Sequence, residues 1–327
     1  MFRLFDDAHY DVLSVWRTAA IAAIVFMVPG LLLLGFRQLT TGRALNTSIE
    51  FTGGTLIQLT TEEGIETADL RLALEPTELS GAEIQTFGAP NEFVVRARLD
   101  PDEEVTEATT QRTGFVLDST LTAVLGADAY DIQRTEAIGP KVGSELRSRV
   151  QQALILAFGA IFLVIWFRYE WRFGLAAVAA TVHDIFTTLA FISILNLEVS
   201  LVVVAGLLTI IGYSLNDTIV TFDRVRENLK KYKRKSILDI LNRSINETLP
   251  RTVLTSGTTL AATLALLFLA GRVISGFAVV MTFGVITGTF SSIFIASPIL
   301  LAIERRWPGE DVRGAKTISK AGATVVN

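Results

Sequence analysis

Asn216 and Asp217 stand side by side inside an apolar run, Val199 to Phe222, that is long enough to enter a bilayer. An ionised carboxylate in hydrocarbon is costly unless a partner or water meets it, so an acid at this depth is a functional candidate by default. At helical spacing Tyr213 and Thr221 fall one turn to either side of Asp217, which gives it a polar face in a Val/Ile/Leu surround. Gly212, Ser214 and Asn216 weaken the helix there and leave room for water or a local backbone break. The chemistry such a group can do is proton uptake and release. The alternative is a buried acid that staples two helices, a poor trade against apolar packing.

A matching cation is available in Arg251, which opens the segment LPRTVLTSGTTL. It is either the counter-ion of Asp217 or an arginine snorkelling to the membrane boundary, with Pro250 at a helix start. The hydroxyls of Thr252, Thr255, Ser256, Thr258 and Thr259 favour a polar path along that span, since a span facing only lipid gains nothing from five of them. Asp184 lies mid-span beside His183, as a second proton-accepting site or an internal hydrogen-bond acceptor. Other chemistries lack their machinery. There is no GxxxxGK[ST], HExxH or GxSxG element, no cysteine, and only two histidines, His9 and His183, so no metal or organic cofactor is expected, and the ion that the buried acids can take up is the proton.

The elements that must position these groups are membrane helices. Of 327 residues half are hydrophobic and 19% charged, too apolar for a soluble domain of this length. Six spans are expected, at Thr18–Phe36, Val150–Phe167, Phe173–Leu195, Val199–Phe222, Thr252–Ala270 and Phe277–Ile303. The first exceeds signal-peptide length and no small-x-small cleavage pattern follows, so it reads as an uncleaved span kinked near Pro29. Arg3 and Arg17 precede it, Arg168 and Arg172 lie between spans two and three, and nine Lys/Arg against four Asp/Glu fall from Asp223 to Arg251. Arg305 and Arg306 follow the last span. The positive-inside rule puts these segments and both termini in the cytoplasm, and the loops at Asn196–Glu198 and Gly271–Gly276, with Arg272 as their only basic residue, outside. The basic stretch Asp223–Ile245 reads as an amphipathic helix on the anionic leaflet or as a docking site, and topology explains its charge without nucleic acid. Gly284 and Gly288 form a small-xxx-small pair, and Ser256, Gly257, Ala261 and Ala262 crowd the fifth span.

Between the first two spans the character changes. Residues 37–149 hold ten Lys/Arg against nineteen Asp/Glu. Alternation and turn chemistry predict strands at Thr55–Leu59, Ala82–Phe87, Phe93–Leu99 and Ala129–Thr135, and helices at Thr67–Leu74, capped by Thr67, and Glu103–Leu125. That order is the split βαβ of a ferredoxin-like α+β domain. The plan is therefore a polytopic α-helical membrane protein: an N-terminal segment and first span to residue 36, an extracytoplasmic ferredoxin-like domain over 37–145, a five-helix block over 146–303 carrying the basic segment 223–251, and a tail over 304–327.

Four stretches together resemble SecF proteins, a family of membrane subunits of the bacterial Sec protein-export translocase. They are Glu50-Phe51-Thr52-Gly53-Gly54-Thr55, Ile138 to Leu146 (IGPKVGSEL), His183-Asp184, and Gly212 to Val220 (GYSLNDTIV) running into Phe222 to Asn228 (FDRVREN). Glu50 and Ile138 stand where the family more often has Asp and Val, both conservative changes. The resemblance implies a SecD-like partner with a similar six-span block, an assembly related to the resistance-nodulation-division transporters, and work beside the SecYEG channel and YajC on a translocating polypeptide. Protons would be the coupling ion, and the proton-motive force would drive movement of the exported domains across the inner membrane's outer face. It also implies that Asp217 is the family's essential intramembrane acid, that Arg251 is its arginine at the start of span five, and that Phe51, Gly53, Gly54, Gly139 and Pro140 act as hinges. With six spans, the SecD-like half is expected as a separate chain. Two other classes compete: half of a small-molecule exporter, which would need duplicated porter modules, and a non-conducting structural subunit of a translocon.

Overall fold

The computed structural model describes residues 9–97, 107–168, 170–269, 271 and 274–309. Arg3, Leu99, Arg272, the first residues of the expected helix at 103, and the tail beyond 309 lie outside them. The chain divides into two compact units, one built from residues up to Asn46 and from Leu154 onward, the other from Thr47–Ala153.

Among the described residues six helices are long and apolar enough to cross a membrane, all in the first unit but for the opening turns of the second of them, which belong to the other unit. They are α1 (Trp16–Thr41), α5 (Pro140–Arg168), α6 (Trp171–Ile194), α7 (Leu201–Lys231), α8 (Ile237–Leu269) and a sixth made of α9 (Ser275–Ser291), a π-helical stretch (Ser292–Ala296) and α10 (Ser297–Arg306). Small residues set the closest approaches, as packing without a hydrophobic driving force requires. A Cβ on Gly284 would lie 2.2 Å from Ile210 Cδ1, and one on Gly288 would lie 3.2 Å from Ser214 Cβ, so α9 runs against α7 along this pair. Gly30 of α1 meets Ala190 of α6 so closely that a Cβ would come within 2.7 Å of the Ala190 backbone. Phe283 of α9 fills the space beside them, stacked on Phe191 at 3.9 Å and tilted against Phe26 at 5.5 Å.

The basic segment departs from expectation. It is not one helix on a leaflet but a hairpin whose arms continue α7 and α8, turning over residues 232–236. At 1.5 Å per residue the 31 residues of α7 and 33 of α8 span roughly 46 and 50 Å, against about 30 Å of hydrocarbon. The apolar stripe that suggested a membrane-bound face is instead satisfied within the hairpin and the core beneath it: Val225, Leu229, Ile240, Leu241 and Ile245 are all buried. Asn228 donates to Ser244 Oγ at 3.0 Å and to Glu247 at 2.8 Å, Arg224 and Arg243 each reach Glu247 at 2.7 Å, and the chain before α1 braces one arm through Leu13 N–H to Asn242. Pro250 is likewise not a helix start. It lies inside α8, a position that long membrane helices tolerate when neighbours hold both sides of the missing bond.

The second unit is a four-stranded antiparallel sheet, β1 (Gly54–Thr61), β2 (Glu83–Thr86), β3 (Glu92–Ala97) and β4 (Tyr130–Ile138), in the order β2-β3-β1-β4. With α3 (Thr67–Leu74) and α4 (Glu107–Leu125) it makes the expected ferredoxin-like sandwich. Alternate residues Ile57 and Leu59 of β1, with Phe93 and Val95 of β3, meet Leu70 and Leu74 of α3 and Leu117 and Leu121 of α4 in one buried core. Thr67 is not the cap of α3: Glu66 precedes the helix and its N–H donates to Asp69 Oδ2 at 2.9 Å. β4 runs three residues past the expected end, because Gly54 pairs with Ile138 and extends the ladder.

That extension gathers the glycine motifs. After a helical turn, α2 (Ile49–Thr52), Gly53 and Gly54 take φ of 74° and 131°, values that side chains resist. Gly143 in the first turns of α5 backs onto them: a Cβ there would stand 3.0 Å from Gly53 N and Phe51 O. Arg147 donates to the Phe51 carbonyl at 2.7 Å, and Gly139 accepts from Gly143 N–H at 3.0 Å. Phe51, Gly53, Gly54 and Gly139 thus form one close-packed joint, with Pro140 as the first residue of α5. Gly143→Val should break it, because the obstructing atoms are backbone. The expected result is faster proteolysis of the 47–153 unit, with Gly114→Val, which meets nothing within 4 Å, as the unaffected control.

Candidate intramembrane site

α7 brings polar residues to two buried acids, its own Asp217 and Asp184 of α6. Asp217 is 3% exposed. One carboxylate oxygen takes Ser256 Oγ at 3.3 Å and the other lies 3.5 Å from Thr255 Oγ1, both on α8. Neither contact is short, and both donors have nearer partners: Ser256 shares a 2.7 Å bond with Thr289 of α9, and Thr255 bonds the Arg251 carbonyl at 3.0 Å. Tyr213, one turn before Asp217, donates to Ser256 Oγ at 3.0 Å. The result is a loosely held carboxyl in a hydroxyl-lined pocket between three spans, able to accept or donate a proton without moving a fixed ion pair.

Arg251 is exposed and, among the described residues, forms no ion pair with Asp217. Helical side chains lean toward their own N-terminus, which carries the guanidinium away from the level of Thr255 and toward the hairpin. The expected direct pair is therefore replaced by hydroxyls one turn further along α8. Asn216 does not join the pocket either. It is exposed on α7, in line with Ala205, Thr209 and Gly212 at helical spacing, while Gly257, Ala261 and Ala265 form an exposed small stripe on α8.

Asp184 of α6 is held quite differently and is 1% exposed. A single oxygen, Oδ2, accepts from Ser214 of α7 and from Ser291 of α9, the latter at 2.7 Å. His183 Nδ1 lies 3.1 Å from Oδ1. The close approach of Gly288 to Ser214 is what lets α9 deliver Ser291 to this point, and the π-helical stretch begins at the next residue. Such a single wide turn in a membrane helix is a recurrent mark of a functional position. The sequence reading passes over Ser291 and Thr289. The available signal is the run of hydroxyls Thr287, Thr289, Ser291 and Ser292 in the last span, which is weak because serine and threonine also satisfy themselves on carbonyls one turn back.

Comparison with known proteins follows the whole of this architecture. A family model described as protein export membrane protein SecD/SecF, C-terminal, matches residues 119–306. The chain is 49% identical over 325 residues to the protein translocase subunit SecF of Gemmatimonas aurantiaca, covering 98% of this chain and 95% of that protein. It is 39% identical to the protein translocase subunit SecF of Vibrio alginolyticus, over 88% of each. Among solved structures it resembles SecDF of Thermus thermophilus, described as a translocon-associated membrane protein, with a TM-score of 0.81, 34% identity and 94% of this chain covered. The match takes up 40% of that longer chain.

Proposed function

The chain belongs to the SecD/SecF family of protein-export membrane proteins, and from that footing we propose that it is the SecF-type subunit of a Sec export machinery driven by the proton-motive force. It works with a SecD-like chain beside a SecYEG channel, with YajC as an associate, and assists late steps of polypeptide translocation. The basic hairpin, the short segment between spans two and three and both termini lie in the cytoplasm, and the 47–153 unit lies on the outer side of the inner membrane.

The observation that carries the proton-driven part is Asp217, buried between α7, α8 and α9 with hydroxyls as its only close partners among the described residues. Its protonation from the outer side alters the packing of spans four and five, with Arg251 at the inner end of the path. The exposed face of Asn216, Gly212 and Thr209, continued by the small stripe of α8, supports a second helix bundle seated there. A polar asparagine left toward lipid would gain no partner. Span one and α5 are the two covalent connections to the outer unit, and the Phe51-Gly53-Gly54-Gly139-Pro140 joint is where the change reaches its sheet.

The test is complementation in membrane vesicles depleted of both subunits. Restoring this chain with a SecD-like partner should accelerate release of a secretory precursor only when a proton-motive force is present. Acceleration that persists with the gradient collapsed would refute the drive. Normal secretion with new drug sensitivity in the depleted cells would point to small-molecule export.

A further inference from the structure

The two buried acids share their neighbours. α7 supplies Ser214 to Asp184 and, one turn later, Asp217 itself. α9 supplies Ser291 to Asp184 and Thr289 to Ser256, which contacts Asp217. Any shift of α7 against α9 that accompanies a change at Asp217 must therefore move both hydroxyl donors of Asp184. Asp184 sits on α6, and fewer than two turns further on that helix meets span one: Gly30 abuts Ala190 backbone, and Arg37 Nη1 donates to the Ser193 carbonyl at 3.0 Å. Those contacts have no slack, and span one leads directly into the 47–153 unit.

We propose that Asp184 is a positioning residue that couples proton transfer at Asp217 to movement of span one, through the hydroxyls of Ser214 and Ser291. This rests on the proton-driven reading above and deepens it. The proton does not pass through Asp184. Its carboxyl fixes α6 in register with α7 and α9, because one oxygen accepts from a serine on each of those helices. A rearrangement of that helix pair then drags α6, and α6 carries α1. A coupling claim of this kind needs a coupling measurement, since adjacency alone does not establish one.

The decisive variant is Asp184→Leu, close in shape but without an acceptor. The stranded serines have alternatives one turn back, as Ser291 already approaches the Gly288 carbonyl at 3.3 Å. In sealed vesicles containing this chain and a SecD-like partner, proton flux should stay within about twofold of wild type while export per proton falls roughly tenfold. Asp184→Asn, which keeps the packing and weakens the bonds, should lie between, and it decides the matter if the leucine variant fails to assemble. Flux lost together with export in an assembled variant would place Asp184 on the proton path and overturn the proposal. An unchanged ratio would reduce it to packing and overturn it equally. Asp217→Asn in the same series separates the two levels: if flux survives there, the proton-driven reading has failed, whatever Asp184 does.

Discussion

Asp217→Asn should leave the assembly intact and bring translocation in an energised membrane down to its rate without a proton-motive force. The amide has the shape of the acid and still offers an oxygen to Ser256, so the α7–α8–α9 packing has no reason to change. What is lost is a group that can exist in two charge states. A proton moved through about 100 mV is worth roughly 2.3 kcal/mol, enough to bias a two-state element by about fiftyfold before any pH gradient is added, and that factor sets the scale of the expected loss. Protease protection of a secretory precursor, timed with and without the gradient, reads it. The double variant Asp217→Asn with Arg251→Gln should be as inactive as the single one, because the structure holds the acid on hydroxyls and not in an ion pair. Recovery of activity in the double variant would mean that the charges serve only to balance one another, as in a structural subunit.

Gly30→Leu should be the most damaging change outside the polar pocket. A Cβ alone would stand 2.5 Å from Ala190 Cβ and 2.7 Å from Ala190 backbone atoms, so α1 must be pushed off α6 along its length. Overpacking of this kind costs about 3 kcal/mol, at the upper end of its usual range, because backbone cannot rotate out of the way. The measurement is the thermal unfolding midpoint of the purified protein in detergent, which should drop by several degrees. Gly35→Leu, five residues along the same helix, meets nothing within 4 Å and should leave the midpoint unchanged. If the two variants behaved alike, the Gly30 contact would carry no weight in holding span one.

Much of this arrangement is legible in the residues, for reasons that differ by element. The six spans and the sheet order follow from periodicity: the alternation of β1 about Ile57 and Leu59 can bury only one face, and the apolar runs have no soluble explanation. Asp217 and Asp184 are legible because an acid in hydrocarbon is costly wherever its partners are. Partner identity is not legible in the same way. Arg251 is the obvious cation for Asp217 by chemistry, but which way its long side chain leans depends on the direction of α8, and that helix carries it toward the hairpin. Pro250 reads as a start because its effect is local, while the continuity of α8 through it comes from packing against α7. Ser291 reaches Asp184 only because Gly288 admits Ser214, a three-helix coincidence that no single segment encodes. The hairpin at 223–251 is ambiguous for the opposite reason. An amphipathic stripe fits a membrane surface and a partner helix equally well, and only the fold shows that the partner is the chain's own second arm.

Proton uptake and precursor release, followed together in sealed vesicles holding this chain and a SecD-like partner under an imposed pH gradient, would decide the matter. Wild type should take up protons in step with release, and Asp217→Asn, assembled to the same level, should do neither. Proton uptake undiminished in that variant, or release that continues without any uptake, would contradict the role given to Asp217.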